Sequence, residues 1–202
     1  MTIATGDAMH TAGTTQDDSV QPRFPLGFRI VHGLLIILVT FQLFSERYMK
    51  KIWKAHGHDE FRHLLFHAHM WSGMATALLL VVLWSLIARN RQLRGHLFPF
   101  DGPYVQNISP DIAGLAKGKF PPNGMRGGLP GLVHGLGLLV ISGMAITGFL
   151  MFFLIPSFGV AAPAHIYQWP KKIHDYVGEF VWLFWWGHLG MAVLHRISGV
   201  RR

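Results

Sequence analysis

The chain alternates between four long apolar stretches and shorter polar connections. The apolar stretches run over Phe24–Phe44, Leu64–Ala88, Leu129–Ile155 and Ile173–Leu194. Each is close to the roughly 20 residues that an α-helix needs to cross the hydrocarbon core of a bilayer. The pattern therefore predicts an all-α integral membrane protein, built as a bundle of four transmembrane helices.

The composition supports this class. Half of the 202 residues are hydrophobic and 14% are charged, and the mean hydropathy is +0.31, whereas soluble domains carry about 25% charged residues. The formal net charge of +8 does not indicate a nucleic-acid partner. The Lys and Arg residues flank the apolar stretches, as topology signals and lipid headgroup contacts do.

The segments outside the spans predict the domain organisation and the orientation. Residues 1–22 are small and polar, so they predict a disordered tail, without the features of a signal peptide, before a membrane domain over 23–202. The connection Arg89–Gly128 is rich in Pro and Gly, which disfavours a long helix there. Of the 18 Lys and Arg residues, 11 fall on the side of this loop and both termini, and 7 on the other. The positive-inside rule then places the loop and both termini in the cytoplasm.

The histidines carry the candidate chemistry. The chain has no cysteine, which excludes disulfides, iron–sulfur ligation and covalent CxxCH haem attachment. Ionisable residues inside a membrane are costly, so a functional role is the default hypothesis for them, and a hydrogen bond to a neighbouring helix is the alternative. Six of the 13 histidines lie within or at the edge of a span: His32, His67, His69, His134, His174 and His188.

Four of these histidines lie at matching depths. His174 and His188 are 14 residues apart, which puts them on one helix face about 21 Å apart along the axis. His32 lies at the depth of His188, and His69 at that of His174. The depths predict two pairs, His32 with His188 and His69 with His174, each supplying two axial imidazoles to the iron of one of two b-type haems.

The residues one turn further on support three of the four candidates. A small residue at i+4 lies on the same face as the ligand and leaves room for a flat porphyrin. His67 competes with His69, but a separation of two residues rotates the side chain by about 200°, so one of them faces the bundle. The i+4 residues are Gly73, Gly178 and Ala192 after His69, His174 and His188, and Ile36 after His32.

These residues resemble those of a known family. The stretch HMWSG at the start of the second span, the early histidine of the first and the 14-residue pair of the fourth are similar to those of bacterial cytochrome b561. That superfamily includes the cytochrome b subunits of nickel–iron hydrogenase and formate dehydrogenase. The resemblance covers all four spans and implies a four-helix, two-haem protein that moves electrons between a redox partner, or a periplasmic donor, and the quinone pool. It implies that His32, His69, His174 and His188 are the ligands, and His195 also matches a histidine frequent in the stand-alone members.

Other polar residues are candidates for roles around the haems. Haem propionates need cations near the interface, which Arg29 on one side and Lys171 or Lys172 on the other are placed to supply. Quinone chemistry needs protons and a polar pocket, for which His134 and Glu179 are the main candidates. His96 and Asp175 are further candidates for that role.

Three functions are open at this level. The first is an electron-transfer subunit of a respiratory complex. The second is a stand-alone quinone oxidoreductase acting on a small donor such as superoxide, which quinone activity of the isolated protein would favour. The third, a remote one, is a non-haem membrane enzyme with a histidine box formed by His63, His67 and His69.

Overall fold

Four long helices dominate the chain. The computed structural model describes residues 24–49, 60–122, 124–155 and 163–197, so the predicted tail lies outside the described residues. In this part of the chain, four helices are long and apolar enough to cross a membrane, which confirms the predicted spans. The helices are α1 Leu26–Tyr48, α2 Glu60–Arg89, α3 Arg91–Leu97, α4 Gly102–Val105, α5 Ile108–Ala116, α6 Gly128–Leu154 and α7 Gln168–Ile197, the last preceded by a 3₁₀ turn over His165–Tyr167.

The long helices form a bundle in the order α1, α2, α6, α7. Helix α1 packs on α2, α2 on α6, and α6 on α7. Helix α7 also reaches α1, because the indole Nε1 of Trp185 donates to Thr40 Oγ1 at 3.0 Å. The outward faces carry large apolar side chains such as Leu78 and Leu183, which are 67% and 72% exposed. Such exposure suits a lipid environment.

The connection between α2 and α6 folds into three short helices, the longest of which has nine residues. A single residue, Asn90, separates α2 from α3, and its side-chain oxygen accepts hydrogen bonds from the backbone N–H groups of Gln92 and Leu93. Those are two of the groups that a helix start leaves unpaired. Helix α3 therefore starts immediately after α2 and turns back over the bundle. We call helices α3 to α5 the cap, and the end of the bundle where they lie the capped end.

The cap is joined to the start of α6 by a buried ion pair. Asp111 of α5 is 5% exposed, pairs with Arg126, and accepts from the backbone N–H of Leu129 at 2.9 Å. Gly128 has a positive φ, and a Cβ there would meet the carboxylate of Asp111. The negative charge of Asp111 at the first turn of α6 interacts favourably with the helix dipole.

Two glycines of α6 let the backbone of α3 lie directly against it. A Cβ on Gly131 would lie 1.9 Å from the carbonyl oxygen of His96, and one on Gly135 would lie 2.0 Å from that of Leu97. A backbone carbonyl cannot move aside as a flexible side chain can. The close packing of the cap therefore depends on these two positions.

We expect Gly135→Ala to destabilise the protein by pushing α3 away from α6. Overpacking of this kind costs about 1–3 kcal/mol, or roughly 2–12 °C in Tm for a chain of this size. Thermal unfolding in detergent measures the effect. Gly143→Ala is the matched control on the same helix, since nothing lies within 4 Å of the added Cβ. Equal Tm values for the two variants would contradict the packing argument.

Candidate functional site

Three histidines from three helices meet near the capped end; we call them the capped-end cluster. They are His32 of α1, His134 of α6 and His188 of α7. The ring centroids of His32 and His188 are 6.2 Å apart with planes at 83°, and those of His134 and His188 are 4.8 Å apart at 89°. Phe28 stacks on His32 and Phe184 on His188. Aromatic packing thus fixes the positions of the two rings that the sequence pairs.

The other two candidate ligands lie at the opposite end; we call His69 of α2 and His174 of α7 the opposite-end pair. The two side chains are close enough to interact electrostatically. Each is held by a hydroxyl of the adjacent helix. His69 Nδ1 is 2.9 Å from Ser45 Oγ of α1, and His174 Nδ1 is 2.9 Å from Thr147 Oγ1 of α6.

The sequence analysis did not identify Ser45 and Thr147 or the nearby Gln42. Gln42 Nε2 donates to the backbone carbonyl of His69 at 2.8 Å and to Ser72 Oγ at 2.6 Å. Ser45 and Thr147 are 4% and 8% exposed. Hydroxyl and amide side chains inside an apolar span were the available signal, but the histidine that each contacts depends on how the helices pack.

The glycines that follow the opposite-end pair face the neighbouring helices. A Cβ on Gly73 would lie 3.5 Å from the amide of Gln42, and one on Gly178 would lie 3.4 Å from Met144 Cε. Gly148 lies nearest to a candidate ligand, because its Cβ would be 3.2 Å from His174 Cε1. The small residues thus give space at the helix contacts around these histidines.

His134 and His96 continue the capped-end cluster towards the cap. The Nδ1 of His134 donates to the carbonyl of Pro130 at 2.5 Å, so its Nε2 carries the lone pair in the neutral ring. The ring of His96 in α3 lies 6.4 Å from that of His134, and its Nδ1 accepts from the backbone N–H of Gly127 at 3.1 Å. Burial above all, with the nearby His134 and Arg126, lowers the pKa of His96 to about 4.

Of the predicted cations and carboxylates, Lys171 and Asp175 lie close enough to His174 to interact with it electrostatically. Arg29 and Glu179 are exposed on α1 and α7. Lys172 is also exposed; it lies over the ring of Trp169 at 6.0 Å and lines a cavity of about 230 Å³. Lys171 pairs with Asp175 one turn further along α7. The propionate roles of Arg29 and Lys172 and the quinone role of Glu179 stay predictions.

Among the described residues, no group of three or more His, Cys, Asp or Glu side chains is placed to hold a metal ion. His63, His67 and His69, the candidate histidine box, do not form one. Haem iron makes a smaller demand, because the porphyrin supplies four nitrogens and the protein needs to add two.

The ring spacing of one predicted pair, His32 and His188, fits that demand. Imidazole nitrogens bind a metal at roughly 2.0–2.1 Å, which places the centroids of two opposed rings about 6 Å apart. The 6.2 Å between His32 and His188 agrees with this spacing. Between the two histidine groups, the buried indole Nε1 of Trp182 has no hydrogen-bond partner among the described residues, so a donor is available to a bound polar group.

Comparison with known proteins identifies the class. The family model for prokaryotic cytochrome b561 matches residues 23–201, and the chain therefore belongs to this family. No curated protein matches the chain significantly. The protein is a multi-pass membrane cytochrome that binds haem b, and its class of function is electron transfer.

We expect His96 to make the protein less stable at acidic pH. Its folded pKa of about 4 lies below the unfolded value of about 6.5, so between these values the unfolded chain binds the proton and the folded chain does not. The contribution of His96 to the free energy of unfolding is therefore constant above pH 6.5. It falls as the pH drops towards 4, by up to about 3 kcal/mol. Unfolding of wild type and His96→Asn between pH 4 and 8 measures the difference.

The variant is expected to show a smaller loss of stability on acidification than the wild type. Asn keeps an acceptor for the N–H of Gly127 and does not titrate in this range. The matched control is His165→Asn, since His165 is exposed and lies outside the cap. A wild-type pH dependence retained in full by His96→Asn would show that His96 is not the responsible group.

Proposed function

We propose that the protein is a di-haem cytochrome b that carries electrons across the membrane. His32 and His188 would hold one haem, and His69 and His174 the other. The observation that supports this proposal is that histidines from different helices lie close together at both ends of one bundle, with α7 contributing to both groups. When bound, each haem b supplies a reversible one-electron couple.

The chain's residues then determine what kind of redox reaction is favoured. With two imidazoles holding each haem, no position would be left for a small ligand, and outer-sphere electron transfer would be favoured. Because α7 carries one ligand of each pair, one continuous helix sets the separation of the two sites, about 21 Å along its axis.

We further propose that the capped end faces the cytoplasm of a bacterial inner membrane, with both termini on that side. The cap carries Arg91, Arg94, Lys117, Lys119 and Arg126, and cytoplasmic loops are enriched in such residues. In this orientation the His32–His188 site is the inner one and the His69–His174 site is the outer one.

The capped-end cluster is the better candidate for quinone chemistry. His134 contacts His188, whereas Glu179 lies five residues after His174 in the half of α7 towards the opposite end. With its Nδ1 hydrogen donated to Pro130, the neutral His134 ring has an Nε2 that accepts a hydrogen bond. A quinol hydroxyl is a donor of this kind, so we assign His134 to a quinol site beside the inner haem.

An exposed carboxylate on α7 supports a role as a subunit of a respiratory complex. Glu179 is exposed on this helix, and an ionisable side chain at a lipid-facing position of a span is costly. A partner subunit that covers this face would give the carboxylate a polar neighbour. Co-purification with a catalytic subunit would favour this role over that of a stand-alone oxidoreductase.

We expect His188→Ala to remove one haem and leave the other, because its loss breaks only the His32–His188 site. The pyridine haemochrome assay should fall from two haems to about one per chain. His69→Ala should remove the second haem instead. His67→Ala is the matched control, since it removes a histidine two residues from His69 on the same helix. Retention of both haems in His188→Ala would overturn the pairing.

We expect His134→Ala to weaken quinol binding while both haems remain. A lost hydrogen bond of about 0.5–1.5 kcal/mol corresponds to a roughly 2- to 10-fold increase in KM. Stopped-flow haem reduction by a soluble quinol analogue measures this, with the haem content determined on the same sample. An unchanged KM, or loss of a haem, would contradict the assignment of His134 to the quinol site.

A further inference from the structure

We infer that Ser45 and Thr147 are positioning residues that fix the ring tautomer of His69 and His174, so that each presents a free Nε2 lone pair to iron. The inference rests on the proposed role of these two histidines as axial ligands. It goes further because it assigns a specific task to two hydroxyl groups on the neighbouring helices.

Each of the two hydroxyl groups has a single hydrogen to donate. Ser45 Oγ donates to the carbonyl of Gln42 at 3.1 Å. A carbonyl oxygen only accepts, so with the hydrogen in this bond the hydroxyl faces His69 Nδ1 with a lone pair. His69 then donates from Nδ1 towards this lone pair, with the backbone carbonyl of Gln42 as a second acceptor near the ring, and Nε2 is left unprotonated in the neutral ring.

Thr147 repeats this arrangement on the other side of the bundle. Its Oγ1 donates to the carbonyls of Met144 at 2.9 Å and Gly143 at 3.1 Å. With the hydrogen directed to these backbone oxygens, His174 Nδ1 at 2.9 Å is the donor, and the backbone carbonyl of Met144 is a second acceptor near the ring. Both hydroxyls are buried, so water does not compete for these bonds.

The two bonds have an electronic consequence as well as a steric one. An imidazole whose N–H is hydrogen-bonded donates more electron density to its metal, and such outer partners commonly change metal affinity by 10- to 100-fold. Greater donation stabilises the ferric state. Ser45 and Thr147 should therefore hold the midpoint potential of the His69–His174 haem below the value it would have without them.

The test uses Ser45→Ala and Thr147→Val in the haem-loaded protein. Spectroelectrochemical titration should show the potential of one haem raised and that of the other unchanged, and the ferric EPR signal of the affected haem should shift. Transfer of this haem to an apoprotein acceptor should be accelerated by roughly 10-fold. Ser45→Thr and Thr147→Ser, which keep the hydroxyl, should restore the wild-type values.

Thr76→Val is the matched control. Thr76 is a buried hydroxyl of α2, 6% exposed, that donates to the carbonyl of Ser72 at 2.9 Å, as Thr147 does to its own helix. Potentials in Ser45→Ala and Thr147→Val that match those of Thr76→Val would overturn the inference. His69→Ala separates this failure from a failure of the ligand assignment, because only the latter predicts that this variant keeps both haems.

Discussion

A polar side chain inside a bilayer is stable only when the protein itself supplies its hydrogen-bond partners. This constraint applies to the interior of the bundle, where a histidine ring nitrogen needs a partner from another side chain, from the backbone or from a bound group. At the opposite end, Ser45 and Thr147 satisfy His69 and His174 across helix interfaces. At the capped end, a carbonyl of its own helix satisfies His134. The bundle order follows in part from these pairings, since a hydroxyl one helix away is useful only if the helices keep their register.

The same constraint explains the cap. Helix α6 begins inside the protein, and its first backbone N–H groups need acceptors. Asp111 supplies one to Leu129 while Arg126 compensates the charge, and His96 accepts from Gly127. The cap therefore supplies hydrogen-bond acceptors to the start of α6. It also places the buried, neutral His96 next to the ring of His134.

The sequence predicted the four spans because hydropathy over about 20 residues is a strong signal. It placed the start of the fourth helix at Ile173, whereas α7 begins at Gln168, since a helix extends beyond the apolar core into the interface. The matching depths of His32 and His188 followed from the helix rise alone, and the structure brings these two rings together. Ser45 and Thr147 were missed because their contacts depend on the rotation of one helix against the next. The cap was missed because Gly131 and Gly135 act through close approach to a backbone that the sequence does not locate.

The two ends therefore surround chemically similar histidines with different partners. Hydroxyl acceptors bind the rings at one end, whereas stacked phenylalanines and a third imidazole surround them at the other. An acceptor at Nδ1 increases the electron donation of an imidazole, whereas an aromatic ring face changes the packing and the local dielectric. In the proposed di-haem arrangement, this difference gives two sites of the same ligand type distinct redox properties. In that arrangement, the asymmetry would arise from side chains one helix removed from the ligands themselves.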